Sequence, residues 1–221
     1  MCKGWGKIMK HLPFALFDMD GTLVDSMQYW RGAHIEGLQL AGYELTEEKK
    51  EALLKVWGYE NLRDLLASWG IHKTVEQLKE EARNLLKTHY ERDIVAKAGT
   101  IALLKELKRQ GVKMGVLTLT PHALVDICLA KTGLAPYFSC IVTTEDNPSG
   151  TGKEAKEIFQ VALDAIGCDT PSQCAIYEDS FYSIRTAKEM GFYVVGVEDI
   201  WQSDRQKQYM ADTCDTIISL G

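Results

Sequence analysis

Four carboxylates, two threonine hydroxyls and one lysine carry most of the chemistry that can be written from this sequence. Asp18 and Asp20 stand in Asp18-Met19-Asp20-Gly21-Thr22, directly after the apolar run Phe14 to Phe17. Thr118-Leu119-Thr120 follows Met114 to Leu117, and Glu178-Asp179-Ser180 follows Cys174 to Tyr177. Lys153 lies behind the loop Ser149-Gly150-Thr151-Gly152 and is expected to open the helix that comes next. Clustered carboxylates repel one another unless a cation holds them, and hard oxygen ligands beside one lysine suit Mg2+. A metal, a lysine and hydroxyls together make a site for a phosphoryl group. A carboxylate neutralised by the ion can attack phosphorus and form an acyl phosphate, and Asp18, at the strand end, is the candidate. Asp20 points the same way two residues on. It is the candidate to protonate a leaving alcohol and then to take a proton from the water that hydrolyses the intermediate.

Each feature has an ordinary explanation when taken alone. Asp18 to Thr22 could be a polar turn, Thr118 a strand-end hydroxyl, Lys153 a solvated helix-opening lysine, and Glu178-Asp179 a helix-capping pair. Independent caps have no reason to arrive at one edge of one sheet, so the weight lies in their convergence.

The elements that must position these residues alternate along the chain. Phe14 to Phe17, Val112 to Leu117, Ser139 to Val142, Cys174 to Tyr177, Tyr193 to Val197 and Thr216 to Ile218 read as buried parallel strands. Between them, Ile101, Leu103, Leu104 and Leu107 form one apolar stripe, and Ala155, Ile158, Phe159, Ala162, Leu163 and Ile166 another, stopped by Gly167. The expected fold is α/β, a doubly wound parallel sheet with helices on both faces, in which ligands bind beyond the carboxyl ends of the strands. Residues 27–95 break the alternation with four helical patterns, about Met27 to Ala41, Thr46 to Trp57, Glu60 to Trp69 and Thr74 to Tyr90. Thr46 and Thr74 are predicted N-caps, the latter with Gln77 three residues on. The expected division is a core of residues 1–26 and 96–221 and an inserted all-helical domain of 27–95. Met9 makes a conventional start, leaving Met1 to Ile8 as an expected tail.

At this point the sequence resembles the haloacid dehalogenase-like superfamily, in the branch with a helical cap after the first strand. The resemblance rests on Phe17 to Ser26, Thr118, Lys153, and Glu178-Asp179-Ser180 with Ala187 to Gly191 behind them, in the family's order from Phe14 to Gly221. It implies a Rossmann-like core and a nucleophile at Asp18. It implies an acid/base at Asp20, whose backbone carbonyl also binds Mg2+, so that Asp18, Asp20, Asp179 and Glu178 form the metal site. Thr118, the position of Leu119, and Lys153 would hold the phosphoryl oxygens. An aspartate at position 20 favours phosphomonoester hydrolysis or phosphomutase chemistry over dehalogenation or ATP-driven transport. The family commonly has Asn where Leu119 stands, which predicts altered substrate fit. β-Phosphoglucomutase-like members place His where Trp30 stands and a Ser-Arg pair on Trp57-Gly58, so a phosphatase is favoured over a mutase. Trp30, Trp57 and Tyr59 pack the cap or turn toward the substrate from it. A catalytically weak binder of a phosphorylated metabolite is a further alternative. Phosphoglycolate, sugar phosphates and nucleoside monophosphates all satisfy the resemblance as the small phosphorylated partner.

Composition narrows the classes. The 221 residues, 46% hydrophobic and 25% charged, are enough to bury about 70% of the extended-chain surface. A net charge of -6 argues against nucleic acid or an anionic membrane as a partner held by bulk charge. No apolar run approaches the roughly 18 residues of a membrane span, and Met1 to Pro13 lacks the apolar stretch of a secretory signal. The six cysteines are scattered without a C-x-x-C pair, as expected of reduced thiols in a cytoplasmic enzyme.

Overall fold

Six short apolar runs form six strands of one parallel sheet: β1 (Phe14–Phe17), β2 (Lys113–Leu117), β3 (Cys140–Val142), β4 (Cys174–Glu178), β5 (Tyr193–Glu198) and β6 (Thr216–Ser219). The computed structural model describes residues 12–56 and 58–221. The expected tail, Met1 to Ile8, and the candidate specificity residue Trp57 lie outside the described residues. The spatial order is β3-β2-β1-β4-β5-β6, all neighbours parallel, which is the doubly wound arrangement expected from the sequence.

Parallel strands buried on both faces need no alternation, and β4 is buried at every residue. In register, Phe17 pairs with Val116 on one side and Tyr177 on the other, so the residues that follow β1 and β4 emerge side by side. The two rings reinforce that register, with Phe17 stacked on Tyr177 at 4.2 Å between centroids. Close strand packing also requires Gly115, where a Cβ would sit 2.6 Å from Cys140 Sγ.

Two helices in particular, α7 (Glu157–Ile166) and α8 (Phe181–Met190), cover one face. Ile158, Phe159, Ala162, Leu163 and Ile166 of α7, with Ile184 and Ala187 of α8, pack on Leu16, Ile176 and Val194. Phe159 is wholly buried there, and Phe159→Ala would cost about 3–5 kcal/mol through lost burial and the cavity left behind. The chain divides into two compact units, residues up to Asp25 with Val95–Gly221, and Ser26–Ile94.

The second unit is helical: α1 (Met27–Leu40), α2 (Glu47–Lys55), α3 (Tyr59–Ser68) and α4 (Val75–Arg92). Thr46 accepts from the Lys49 amide, and Thr74 with Gln77 forms a full capping box, so both ends start where the polar residues predict. The second helix ends at Lys55 rather than reaching position 57, because Val56 turns to extended backbone (ψ 137), and Gly58 takes φ +82 where it caps the start of α3. Leu38, Leu53, Leu62, Leu66, Ile71 and Leu78 form this unit's own core. A polar clasp ties α1 to α4, with His89 Nε2 2.8 Å from Glu36 and Nδ1 2.7 Å from Asp93, and Tyr29 stacked on the imidazole.

Among the described residues no helix is long and apolar enough to cross a membrane. The thiols of Cys128, Cys140, Cys168, Cys174 and Cys214 are all unpaired.

Candidate active site

Because β1 lies between β2 and β4, the chain winds outward in both directions from β1. The crevice beyond the ends of β1 and β4 is therefore the switch point where such sheets bind ligands. Asp18 leaves β1 with its amide still bonded to the Tyr177 carbonyl at 2.9 Å, and Thr118 leaves β2 with its amide on Val142 at 3.0 Å. The chain then turns sharply. Gly21 adopts φ +83, and the amides of Leu23 and Val24 both donate to the Met19 carbonyl. That turn brings Asp20 back toward the sheet edge.

Lys153 organises the centre. Its Nζ donates to Asp18 Oδ1 at 2.5 Å, to Glu178 Oε2 at 2.9 Å and to the Leu117 carbonyl at 3.3 Å, with 2% of the residue exposed. The expectation that Lys153 opens a helix is corrected. It sits in a turn, and α7 starts four residues later at Glu157. Three acceptors at the ends of three neighbouring strands hold the ammonium at the sheet edge, and that tertiary demand overrides the local tendency to continue the helix backward. Burial opposes the lysine's charge, but Asp18 and Glu178 more than offset it and push its pKa upward.

One lysine does not balance the acids around it. Asp18 is pushed up to about 7, first by burial and then by the charge of Glu178, against the pull of Lys153. Burial, then Asp18 and Glu178, also drive the Asp179 carboxyl well above the usual range. Oxygens of Asp18, Glu178 and Asp179 lie within 4.8 Å of one another. Asp18 Oδ2 is buried with no hydrogen-bond partner, an acceptor left for something other than protein. A hard divalent cation fits this set, since it supplies the missing partner and the missing positive charge together. Glu178 is the most committed of the three, because Ser180 holds its second oxygen through both hydroxyl (2.6 Å) and amide (3.2 Å).

Asp20 is engaged from the β2 loop. Thr120 Oγ1 donates to Asp20 Oδ2 at 2.6 Å, and the Thr120 amide bonds Thr118 Oγ1 at 3.2 Å. The sequence placed the Thr120 hydroxyl at this edge without assigning it a partner. Leu119, between them, is 36% exposed, and its Cδ2 lies 3.3 Å from where a Cβ on Gly152 would be. The structure thus brings together Asp18, Asp20, Lys153, Glu178 and Asp179, with Thr118, Leu119 and Thr120 on the adjoining loop.

Trp30 and Tyr59 belong to the helical unit and are engaged within it. The Trp30 indole donates to Tyr90 Oη at 3.0 Å, while Tyr59 meets the His34 ring edge-on at 5.6 Å. One group went unnoticed in the sequence. Gln202 Nε2 donates to the Asp179 backbone carbonyl at 2.9 Å, and Asp199, beside it, pairs with buried Lys97 at 2.5 Å. No local spacing signals partners this far apart in the chain.

Comparison with known proteins supplies the context. Residues 14–191 match the family model of haloacid dehalogenase-like hydrolases. The chain is 27% identical to validoxylamine A 7'-phosphate phosphatase of Streptomyces hygroscopicus subsp. limoneus, over 83% of this chain and 84% of that protein. It is also 27% identical to the pyrophosphatase PpaX of Bacillus velezensis, over 85% and 84%. The solved structure of a Thermotoga maritima protein, provisionally described as a beta-phosphoglucomutase, superposes with a TM-score of 0.78. It is 22% identical over 94% of each chain, which shows a shared fold.

Proposed function

The chain belongs to the haloacid dehalogenase-like hydrolases, in their phosphatase/phosphomutase branch, and on that premise we propose that it is a Mg2+-dependent phosphatase of a small soluble phosphomonoester. The observation that carries this reading is the state of Asp18. One of its oxygens is anchored by Lys153, and the other is buried without any hydrogen bond. A strand-end carboxylate kept in that state is equipped for nucleophilic attack. Bound Mg2+ would be held by Asp18, Asp179, Glu178 and the Asp20 carbonyl, and it supplies charge neutralisation to the carboxylates and the phosphoryl oxygens.

The residues then divide the work. Lys153 and Thr118, with the Leu119 backbone, hold the phosphoryl oxygens. Asp18 forms a bond to phosphorus as the bond to the alcohol oxygen breaks, and Asp20 gives that oxygen its proton. Asp20, now a base, takes a proton from water. The water oxygen attacks the aspartyl-phosphate, releasing inorganic phosphate and restoring the Asp18 carboxylate. The inserted helical unit is read as a cap that selects substrate, with Trp30, Trp57 and Tyr59 as its candidate specificity residues. The scattered thiols support a cytoplasmic enzyme.

The test is inorganic phosphate release from a panel of phosphomonoesters, with EDTA and Asp18→Asn in parallel. Turnover that requires both metal and Asp18 is expected. Interconversion of phosphate isomers without net phosphate release would move the assignment to a mutase. Binding of a phosphorylated metabolite with no turnover would make the protein a sensor.

A further inference from the structure

Beyond the residues that would touch metal or phosphate, a second buried polar group stands behind Asp179. Gln202 is 8% exposed, and both of its N–H groups and its oxygen are engaged. Its Nε2 donates to the carbonyls of Asp179 (2.9 Å) and Val197 (3.1 Å), while its Oε1 accepts from the Asp199 amide at 3.0 Å. Two carbonyls face the NH2 and one N–H faces the oxygen, so only this orientation of the amide satisfies all three.

The anchor behind Gln202 is ionic. Asp199 Oδ1 accepts from the Trp201 amide at 2.8 Å, and Oδ2 takes the Lys97 ammonium at 2.5 Å, with both side chains almost wholly buried. Lys97 is itself fixed, its amide donating to the Leu23 carbonyl at 3.0 Å in the turn that follows Asp20. A continuous chain of bonds thus runs from the turn after Asp20, through Lys97, Asp199 and Gln202, to the backbone of Asp179.

We infer that Gln202 is a positioning residue for the metal site, holding the Asp179 backbone so that its carboxylate meets the cation beside Asp18 and Glu178. The inference rests on the Mg2+ reading given under Proposed function. A bare loop after β4 would let the Asp179 carboxylate swing away from two neighbours of its own charge. The Gln202 amide, backed by the Lys97–Asp199 pair, removes that freedom before the ion arrives. Groups that orient metal ligands from behind are worth about 10–100-fold in metal affinity, and a bond to backbone belongs at the lower end.

The experiment measures Mg2+ binding by titration calorimetry on the full chain without substrate, and thermal unfolding of the same samples. Gln202→Met removes the donor, and Gln202→Glu keeps an acceptor for the Asp199 amide while losing donation to Asp179. Both should bind Mg2+ about tenfold more weakly than wild type. Leu107→Ala, a core truncation on α5 (Thr100–Arg109), should lower the unfolding temperature yet leave the Mg2+ constant unchanged. Gln202 variants that bind like wild type, while Asp179→Asn loses the ion, overturn this inference alone. Failure of both Gln202 variants to fold overturns it in favour of a purely structural role. Wild type that binds no Mg2+ at millimolar concentration, or Asp179→Asn that binds as tightly as wild type, overturns the parent reading as well.

Discussion

The Lys153 ammonium lies 2.5 Å from Asp18 Oδ1, a buried pair drawn from positions 135 residues apart in the chain. Its geometry leaves one Asp18 oxygen without a partner and makes Lys153 the counter-charge to Glu178 as well.

Lys153→Met therefore strands two buried carboxylates. Removing one partner of a buried ion pair costs about 3–5 kcal/mol, because the remaining charge is left uncompensated. Urea unfolding at pH 7.5 without metal should show a loss of that size, and phosphate release should fall to near background. Wild-type stability in this variant would refute the account of Lys153 as the principal counter-ion.

The metal-free protein should lose stability with rising pH. Asp18, at 3.8 in its ordinary state, is pushed up to about 7 in the fold, and Asp179 is raised in the same direction. A folded state that binds more protons than the unfolded chain loses stability as pH rises, here across the interval from about 4 to about 7. Mg2+ should reverse the trend, since it binds the deprotonated form. Calorimetric titration near pH 6.5 in two buffers of different ionisation enthalpy should reveal net proton release on Mg2+ binding. Zero release would contradict the raised Asp18.

Thr120→Val keeps the shape of the side chain but deletes the hydroxyl that orients Asp20 at 2.6 Å. The proposed acid/base would then sample unproductive rotamers. The expected result is a fall in kcat of about 10–100-fold with KM little changed. An unaltered kcat would remove Thr120 from the functional account.

His89 predicts a pH effect of its own in the helical unit. Burial works against its charge, but the bonds to Asp93 and Glu36 prevail and raise its pKa above 6.5. A raised histidine contributes stability that is complete below its unfolded pKa and is lost as pH rises through the folded value. Thermal unfolding of wild type between pH 6 and 8, compared with His89→Gln, should show an extra loss at the alkaline end that the variant lacks.

Much of this architecture was readable from local pattern. Strands buried on both faces of a parallel sheet read as apolar runs, which made β1, β2, β4 and β5 visible. The edge strands β3 and β6, only partly buried, still carried short apolar runs, while Thr74 with Gln77 announced α4 because a capping box is made by neighbours. Asp18-Met19-Asp20-Gly21-Thr22 was legible for the same reason, since the strand, the turn glycine and the carboxylates are contiguous. Lys153 in its turn, Thr120 on Asp20, and the path from Lys97 through Asp199 and Gln202 to Asp179 were not. Each joins residues brought together by sheet order, and a buried polar group takes whatever partner the fold delivers, because leaving it unpaired costs more than bending the local chain. The sequence by itself determined which residues could do the chemistry and which strands would carry them. Only the tertiary structure decided which oxygen of Asp18 stays free, because that depends on where the Lys153 ammonium comes to rest.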